Sequence, residues 1–230
     1  MTAPTLVLLG PGSHDPRTPE ISRQIGSGLR ALRPNLDVHA AYLDVTGPTA
    51  HEVVARLAAE GVEEVVLVPL LLSDAFGVKE EVPALVAELN ATVEGVRVGA
   101  SRPIGPEAQL LSIVDRRLKD ALRARHVAVG SWYLSPGLLW TSEAEAALEA
   151  GATAVSAPMG SEPEIVEVAL ARYVVAAMEL VDVDTPVPYE TAAFDEGSYE
   201  PAAYDDAFED GFDAEELEEL PQRHLSVVSA

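Results

Sequence analysis

Between Glu64 and Leu72 the chain reads Val65-Val66-Leu67-Val68-Pro69-Leu70-Leu71-Leu72, with no polar residue on either alternation. A strand with one face in water alternates apolar and polar residues. One that is apolar on both faces needs cover above and below, which means a parallel sheet between helices. The flanking segments agree. Thr5–Leu9 is a short apolar run followed by the loop Gly10-Pro11-Gly12-Ser13-His14-Asp15-Pro16. A helical stretch covers Pro19–Leu32 and stops before Pro34, and Leu36–Leu43 alternates as a strand. Thr49-x-x-Glu52 is a capping-box pattern opening a helix that runs to Glu60 and ends at Gly61. Val82–Leu89 reads as helix and Val96–Ala100 as extended chain. Pro106 then opens a helix whose Leu110, Val114, Leu118 and Leu122 share one face. The pattern predicts an α/β fold, a parallel sheet with helices on both faces.

A repeat follows. Ser101-x-Pro103-x-Gly105 before a long helix recurs as Ser156-x-Pro158-x-Gly160, again before a helix, where Ser161-x-x-Glu164 forms a second capping-box pattern. Val65–Gly77 has a weaker echo in Val127–Gly137. Too few residues separate the copies for two further strand–helix units. The organisation expected is therefore a complete half over 5–124, a shortened second half over 125–181 that repeats only the back of the first, and a tail over 182–230.

Charge sets the tail apart. Of the 38 Asp and Glu and 15 Lys and Arg that give the chain a net charge of −23, the tail holds 15 acidic residues and one basic residue, Arg223. Phe194, Tyr199, Tyr204, Phe208 and Phe212 are widely spaced in it, without apolar periodicity. The composition is that of a disordered acidic segment, with a protein-docking element as the alternative. So acidic a chain is a poor nucleic-acid binder. No apolar run reaches the ~18 residues of a membrane span, and the start of the chain lacks the basic flank of a signal peptide. The absence of cysteine removes disulfides, thiolate metal sites and cysteine nucleophiles, and fits a cytoplasmic protein. Neither GxGxxG nor GxxxxGK[ST] occurs, which speaks against a nucleotide-binding version of the fold.

Four motifs in order carry a resemblance: Leu-Leu-Gly-Pro-Gly-Ser-His-Asp-Pro-Arg at 8–17, Ala-Tyr-Leu-Asp at 41–44 with Pro48 before a helix, the apolar run at 65–72, and Gly-Val-Lys-Glu-Glu-Val-Pro at 77–83. Together they resemble the sirohydrochlorin and cobalt-precorrin chelatase family, the class II tetrapyrrole chelatases. The resemblance spans roughly residues 5–180 and is strongest over 5–90. It implies one or two flavodoxin-like halves and insertion of Fe(II) or Co(II) into a tetrapyrrole, in siroheme or cobalamin biosynthesis. The metal is then a substrate, and no permanently bound cofactor is implied. The alternative is a non-catalytic relative that binds a tetrapyrrole or a protein partner.

That alternative has a definite basis. The family's two histidines, from the loop after the first strand and from the segment before the third helix, correspond here to Pro11 and Gly77. Asp44 stands where the family commonly has glutamate. Metal insertion removes two pyrrole N–H protons and delivers a partly desolvated cation, and neutral imidazole suits both tasks. His14, three residues beyond the vacant position, is the candidate replacement as base and ligand, with Asp44 as its catalytic and metal-binding partner and Asp74 and Glu80 as further metal ligands. Gly12 and Ser13 either form a tight turn or offer backbone N–H groups to substrate carboxylates, and Arg17 and Lys79 would offer cations. Asp15 reads equally as an N-cap or as a ligand. His39, His51 and His126 read as structural, and His224 belongs to the tail. Trp132, Tyr133 and Trp140 either stack on a macrocycle or pack an interface. A shortened second half either completes the cleft within one chain or leaves an open sheet edge that takes a second copy.

Overall fold

The computed structural model describes residues 3–15, 17–43, 46–72, 78–105, 107–122 and 128–181, except the side chains of 78, 79 and 120–122. Twelve elements alternate among them: β1 (Thr5–Gly10), α1 (Thr18–Leu32), β2 (Val38–Tyr42), α2 (Ala50–Ala59), β3 (Glu64–Pro69), α3 (Val78–Thr92), β4 (Arg97–Ala100), α4 (Ala108–Leu122), β5 (Ala128–Val129), α5 (Leu138–Glu149), β6 (Ala154–Val155) and α6 (Pro163–Val181). Strands β2-β1-β3-β4 form one parallel sheet and β5-β6 a second.

The apolar runs of β1 and β3 do what their composition demands. Leu6, Leu8, Val66 and Val68 point to one face and meet Ile25 and Leu29 of α1, Leu110 and Ile113 of α4, and Ile165, Val166, Ala169 and Tyr173 of α6. Val7, Leu9, Val65 and Leu67 point to the other and meet Val53, Val54 and Leu57 of α2 and Val82 and Leu89 of α3. Each fully buried large aliphatic chain contributes about 1.5–3 kcal/mol relative to exposure. Thr49 caps α2 reciprocally with Glu52: the Thr49 N–H donates to Glu52 Oε2 at 2.9 Å, and the Glu52 N–H donates to Thr49 Oγ1 at 3.3 Å.

The sequence repeat is a structural one. In the first half the N–H groups of Ser101, Ile104 and Gly105 donate to the carbonyls of Leu67, Pro69 and Leu71. In the second, Ser156, Met159 and Gly160 donate to Val129, Tyr133 and Leu134. The serine hydroxyl donates to the next residue's carbonyl in both copies, Ser101 to Arg102 and Ser156 to Ala157. So β5 and β6 correspond to β3 and β4, and α5 and α6 to α3 and α4.

The corresponding helices are exchanged between the sheets. Helix α4 packs on the small sheet, where Gly130 lies against Val114. Helix α6 returns to the large one, setting Leu180 against Gly99 and Val166 against Gly28. A Cβ at Gly28 would stand 2.8 Å from Val166 Cγ2, so the α1–α6 approach needs glycine there. Polar contacts repeat the exchange. Arg116 and Arg117 of α4 hold Glu162 and Glu164 at the start of α6, and Arg172 of α6 holds the Pro103 carbonyl and Glu107 before α4.

Several boundaries differ from the sequence reading. Helix α3 begins one turn ahead of Pro83, at Val78, rather than at Val82. The second-half strand expected from Val127 is only Ala128–Val129. The Ser161 capping box does not form. Pro163, with its fixed φ and no N–H, opens α6 two residues later. Ser161 Oγ donates instead to Gln24 Oε1 at 2.9 Å, while Glu164 pairs with Arg116. The tail expected over 182–230 lies outside the described residues.

Candidate functional site

In open parallel sheets the loops at the carboxyl ends of the strands form the binding crevice, because the covering helices block both faces. Here the loop after β1 carries Gly12, Ser13, His14, Asp15 and Arg17. Gly12 has φ +83°, a left-handed turn that suits a residue without Cβ. Beyond it the loop is tied down. The Ser13 N–H donates to Thr46 Oγ1 at 2.8 Å, and the same hydroxyl donates to the Ser13 carbonyl at 2.7 Å. Ser13 Oγ accepts the Asp15 N–H at 3.0 Å. Asp15 accepts the Arg17 N–H at 2.9 Å and takes its guanidinium through Nε and Nη2 at 2.9 and 2.6 Å. That pairing with Arg17 holds the Asp15 carboxyl below its usual range. His14 is exposed between these anchored residues.

The loop after β5 closes on the same place. Thr18 Oγ1 donates to the Pro136 carbonyl at 3.2 Å, and a Cβ on Gly137 would lie 3.7 Å from Ser13 Oγ. Immediately after it, α5 presents Leu138 and Leu139, 71% and 64% exposed. The second-half loop therefore walls one side of the loop that carries His14.

Three expectations change. The Ser13 N–H, expected to meet a substrate carboxylate, is spent on Thr46. Asp15 does not cap α1. Arg17 occupies the N-cap position without a side-chain bond, and Asp15 instead shapes the turn before it. The Arg17 guanidinium, expected to meet substrate, is engaged by Asp15 while still more than half exposed. Glu80 is exposed in the first turn of α3. Asp44, Asp74 and the Lys79 side chain lie outside the described residues, and so do His126 and His224. Among the described residues no three His, Asp or Glu side chains gather as a metal site.

The other groups fall into structural places. His39 Nε2 sits 3.0 Å from Asp37 and its Nδ1 3.3 Å from Arg56, and His51 Nε2 lies 3.1 Å from Thr92 Oγ1. Trp132 packs against the core on the α1–α6 face. Burial, reinforced by a bond to Glu143, pushes the Tyr133 hydroxyl up to about 12. Sequence reasoning missed Thr46, Thr18 and Pro136, the residues that hold the His14 loop. Their contacts join positions 33 and 118 residues apart, and no local pattern marks them. No helix among the described residues is long and apolar enough to cross a membrane.

Comparison with known proteins bears on this arrangement. The sirohydrochlorin cobaltochelatase of Methanosarcina acetivorans is 23% identical over 124 residues, which are 51% of this chain and 95% of that protein. The enzyme of the same name from Sulfurisphaera tokodaii is 28% identical over 94 residues, 40% of this chain and 75% of that one. Among solved structures, SirB from Bacillus subtilis with Fe3+ superposes with a TM-score of 0.62 at 16% identity, over 76% of this chain and 96% of SirB, and shares its fold. The CbiX family model matches residues 5–121, from the first residue of β1 to the last turn of α4 and just over half of the chain. The chain belongs to the CbiX family.

Proposed function

We propose that this protein is a chelatase that inserts Co(II) or Fe(II) into a sirohydrochlorin-type tetrapyrrole. The reading rests on the family match over 5–121. The matched span includes the His14 loop, which the second-half loop faces. Insertion exchanges two pyrrole protons for one divalent cation. His14, exposed in the loop after β1, hands the metal to the ring as its ligand and, once the metal has left it, takes one pyrrole proton as a base; the second proton goes to solvent. Asp44, Asp74 and Glu80 add carboxylate ligands, which alone would hold such cations with little selectivity.

The substrate ring carries many carboxylates, while the chain without its tail is already acidic. A locally cationic rim is needed to bring the two together. Lys79 supplies it, with Arg102 beyond β4, since Asp15 already neutralises Arg17, and Gly12 lets the backbone approach the ring closely. Leu138 and Leu139 offer the flat ring an apolar surface on the second-half side.

Anaerobic insertion of Co(II) and Fe(II) into sirohydrochlorin, followed by absorbance, tests the reading. The expected result is a rate above the no-protein control that falls about 100-fold or more in His14→Ala, the usual scale for losing a positioned acid–base group. A ring spectrum that shifts on binding while insertion stays at the control rate would make the protein a non-catalytic tetrapyrrole binder, as the replacement of both family histidines by Pro11 and Gly77 would allow. No spectral change and no insertion would remove the tetrapyrrole from the account altogether.

A further inference from the structure

We infer that Thr46 is a positioning residue for metal insertion, acting through the Ser13–His14 peptide; the inference rests on the chelatase reading above. One hydroxyl makes two bonds to one residue. It accepts the Ser13 N–H at 2.8 Å and donates to the Ser13 carbonyl at 2.7 Å. The N–H belongs to the peptide plane before Ser13 and the carbonyl to the plane after it. Both soft dihedrals of Ser13 are therefore fixed from outside the loop. The second plane leads into His14 and, together with the plane after it, whose Asp15 N–H is held by Ser13 Oγ, sets the direction in which the His14 Cα–Cβ bond leaves the chain. The next fixed points are the Asp15 N–H on Ser13 Oγ and the Arg17 N–H on Asp15 Oδ1. Beyond them Thr18 is held on the Pro136 carbonyl. His14 thus lies between two clamped peptides, and the clamp on its N-terminal side is a side chain from the loop after β2.

The chemistry of the clamp is selective. The residue must accept and donate with one atom, which only a hydroxyl of this length does. Threonine adds a β-branch that restricts χ1 and holds the hydroxyl in place. Valine has the same shape and makes neither bond. Serine makes both from a freer rotor. The contact joins the two loops of the first half that carry His14 and Asp44, and it is independent of any bound metal.

The test compares wild type, Thr46→Val, Thr46→Ser and Thr46→Ala by Co(II) insertion into sirohydrochlorin, with hydrogen exchange at the Ser13 amide read on the same samples. Thr46→Val is expected to lower kcat about 10- to 100-fold, the scale of a sub-ångström to 1 Å misplacement of a reacting group. KM should change less, and Ser13 amide exchange should accelerate about tenfold or more. Thr46→Ser restores both readouts to within a few fold. Thr46→Ala serves as the second hydroxyl-free variant should Thr46→Val fold poorly. A wild-type chain that inserts no metal overturns the chelatase reading and this inference with it. An active wild type matched in kcat by Thr46→Val overturns the inference alone. Equal losses in the valine and serine variants, tracking only a drop in Tm, also overturn it, because packing rather than the paired bonds would then be responsible.

Discussion

The two halves of this molecule repeat one motif with very different means. Among the described residues the first half has four strands, and β1 and β3 are buried on both faces by helices on each side. The second has two strands of two residues each, and its α5 has no buried residue at all. Yet the same three N–H groups of the Ser-x-Pro-x-Gly turn donate on leaving β4 and β6, although their acceptors, Leu67, Pro69 and Leu71 against Val129, Tyr133 and Leu134, are spaced differently. What also differs is apolar area, since a sheet this short cannot make a core of its own. The exchange of α4 and α6 resolves the difference. The short half lends its long helix to the large sheet, and in return α4 covers the small one. The second half is therefore held in place by the first, and the first depends on the second for the helix that seals one of its faces.

Removing the exchange should have the largest effect. A chain ending at Leu122 loses Ile165, Val166, Val168, Ala169, Tyr173 and Leu180 from the core that Leu6, Leu8, Val66 and Val68 share. It is expected to be insoluble or dye-binding with no cooperative melt, as circular dichroism and ANS fluorescence would show. A soluble, cooperatively melting fragment of that length would mean that the first half closes its own face.

A matched pair of substitutions sharpens the contrast. Leu67→Ala, at a fully buried position, should cost about 2–5 kcal/mol in urea unfolding. Leu139→Ala, 64% exposed on α5, should stay within about 0.5 kcal/mol. Similar losses at the two sites would show that α5 is packed far more firmly than its exposure implies.

The smallest effect concerns pH. Tyr133 titrates at about 12 in the folded chain against 10.0 for the free side chain, chiefly through burial and then through Glu143. A group that binds its proton more tightly when folded lends stability in full below the unfolded value and loses it as pH rises through the folded one. Stability should therefore decline between pH 10 and about 12, and Tyr133→Phe, which also gives up the bond to Glu143, should flatten that decline. An unchanged alkaline profile in Tyr133→Phe would point to other groups, the buried Tyr173 first among them.

Much of the fold is legible in the order of residues alone. The two-face apolar run at 65–72 calls for a covered parallel sheet, and Thr49 with Glu52 marks a helix start that forms as expected. Local patterns succeed where local bonding decides. They fail at Ser161, where a proline two residues on sets the helix start and a partner from α1 takes the hydroxyl. They fail at Ser13 for the same reason, since a residue 33 positions away claims its N–H. The candidate site is legible as a list of residue types, His14 above all, but not as an arrangement.

The sequence by itself determined the alternation of strand and helix, the doubly covered sheet and the repeated Ser-x-Pro-x-Gly turn. Those depend on the order of apolar side chains and on backbone preferences within a few residues. Only the tertiary structure decided which helix covers which sheet, that Pro136 and Gly137 face the His14 loop, and that Thr46 holds it. Each of these is a contact between segments far apart in the chain, chosen by complementary shape and unpaired hydrogen-bonding groups that no short window of sequence contains.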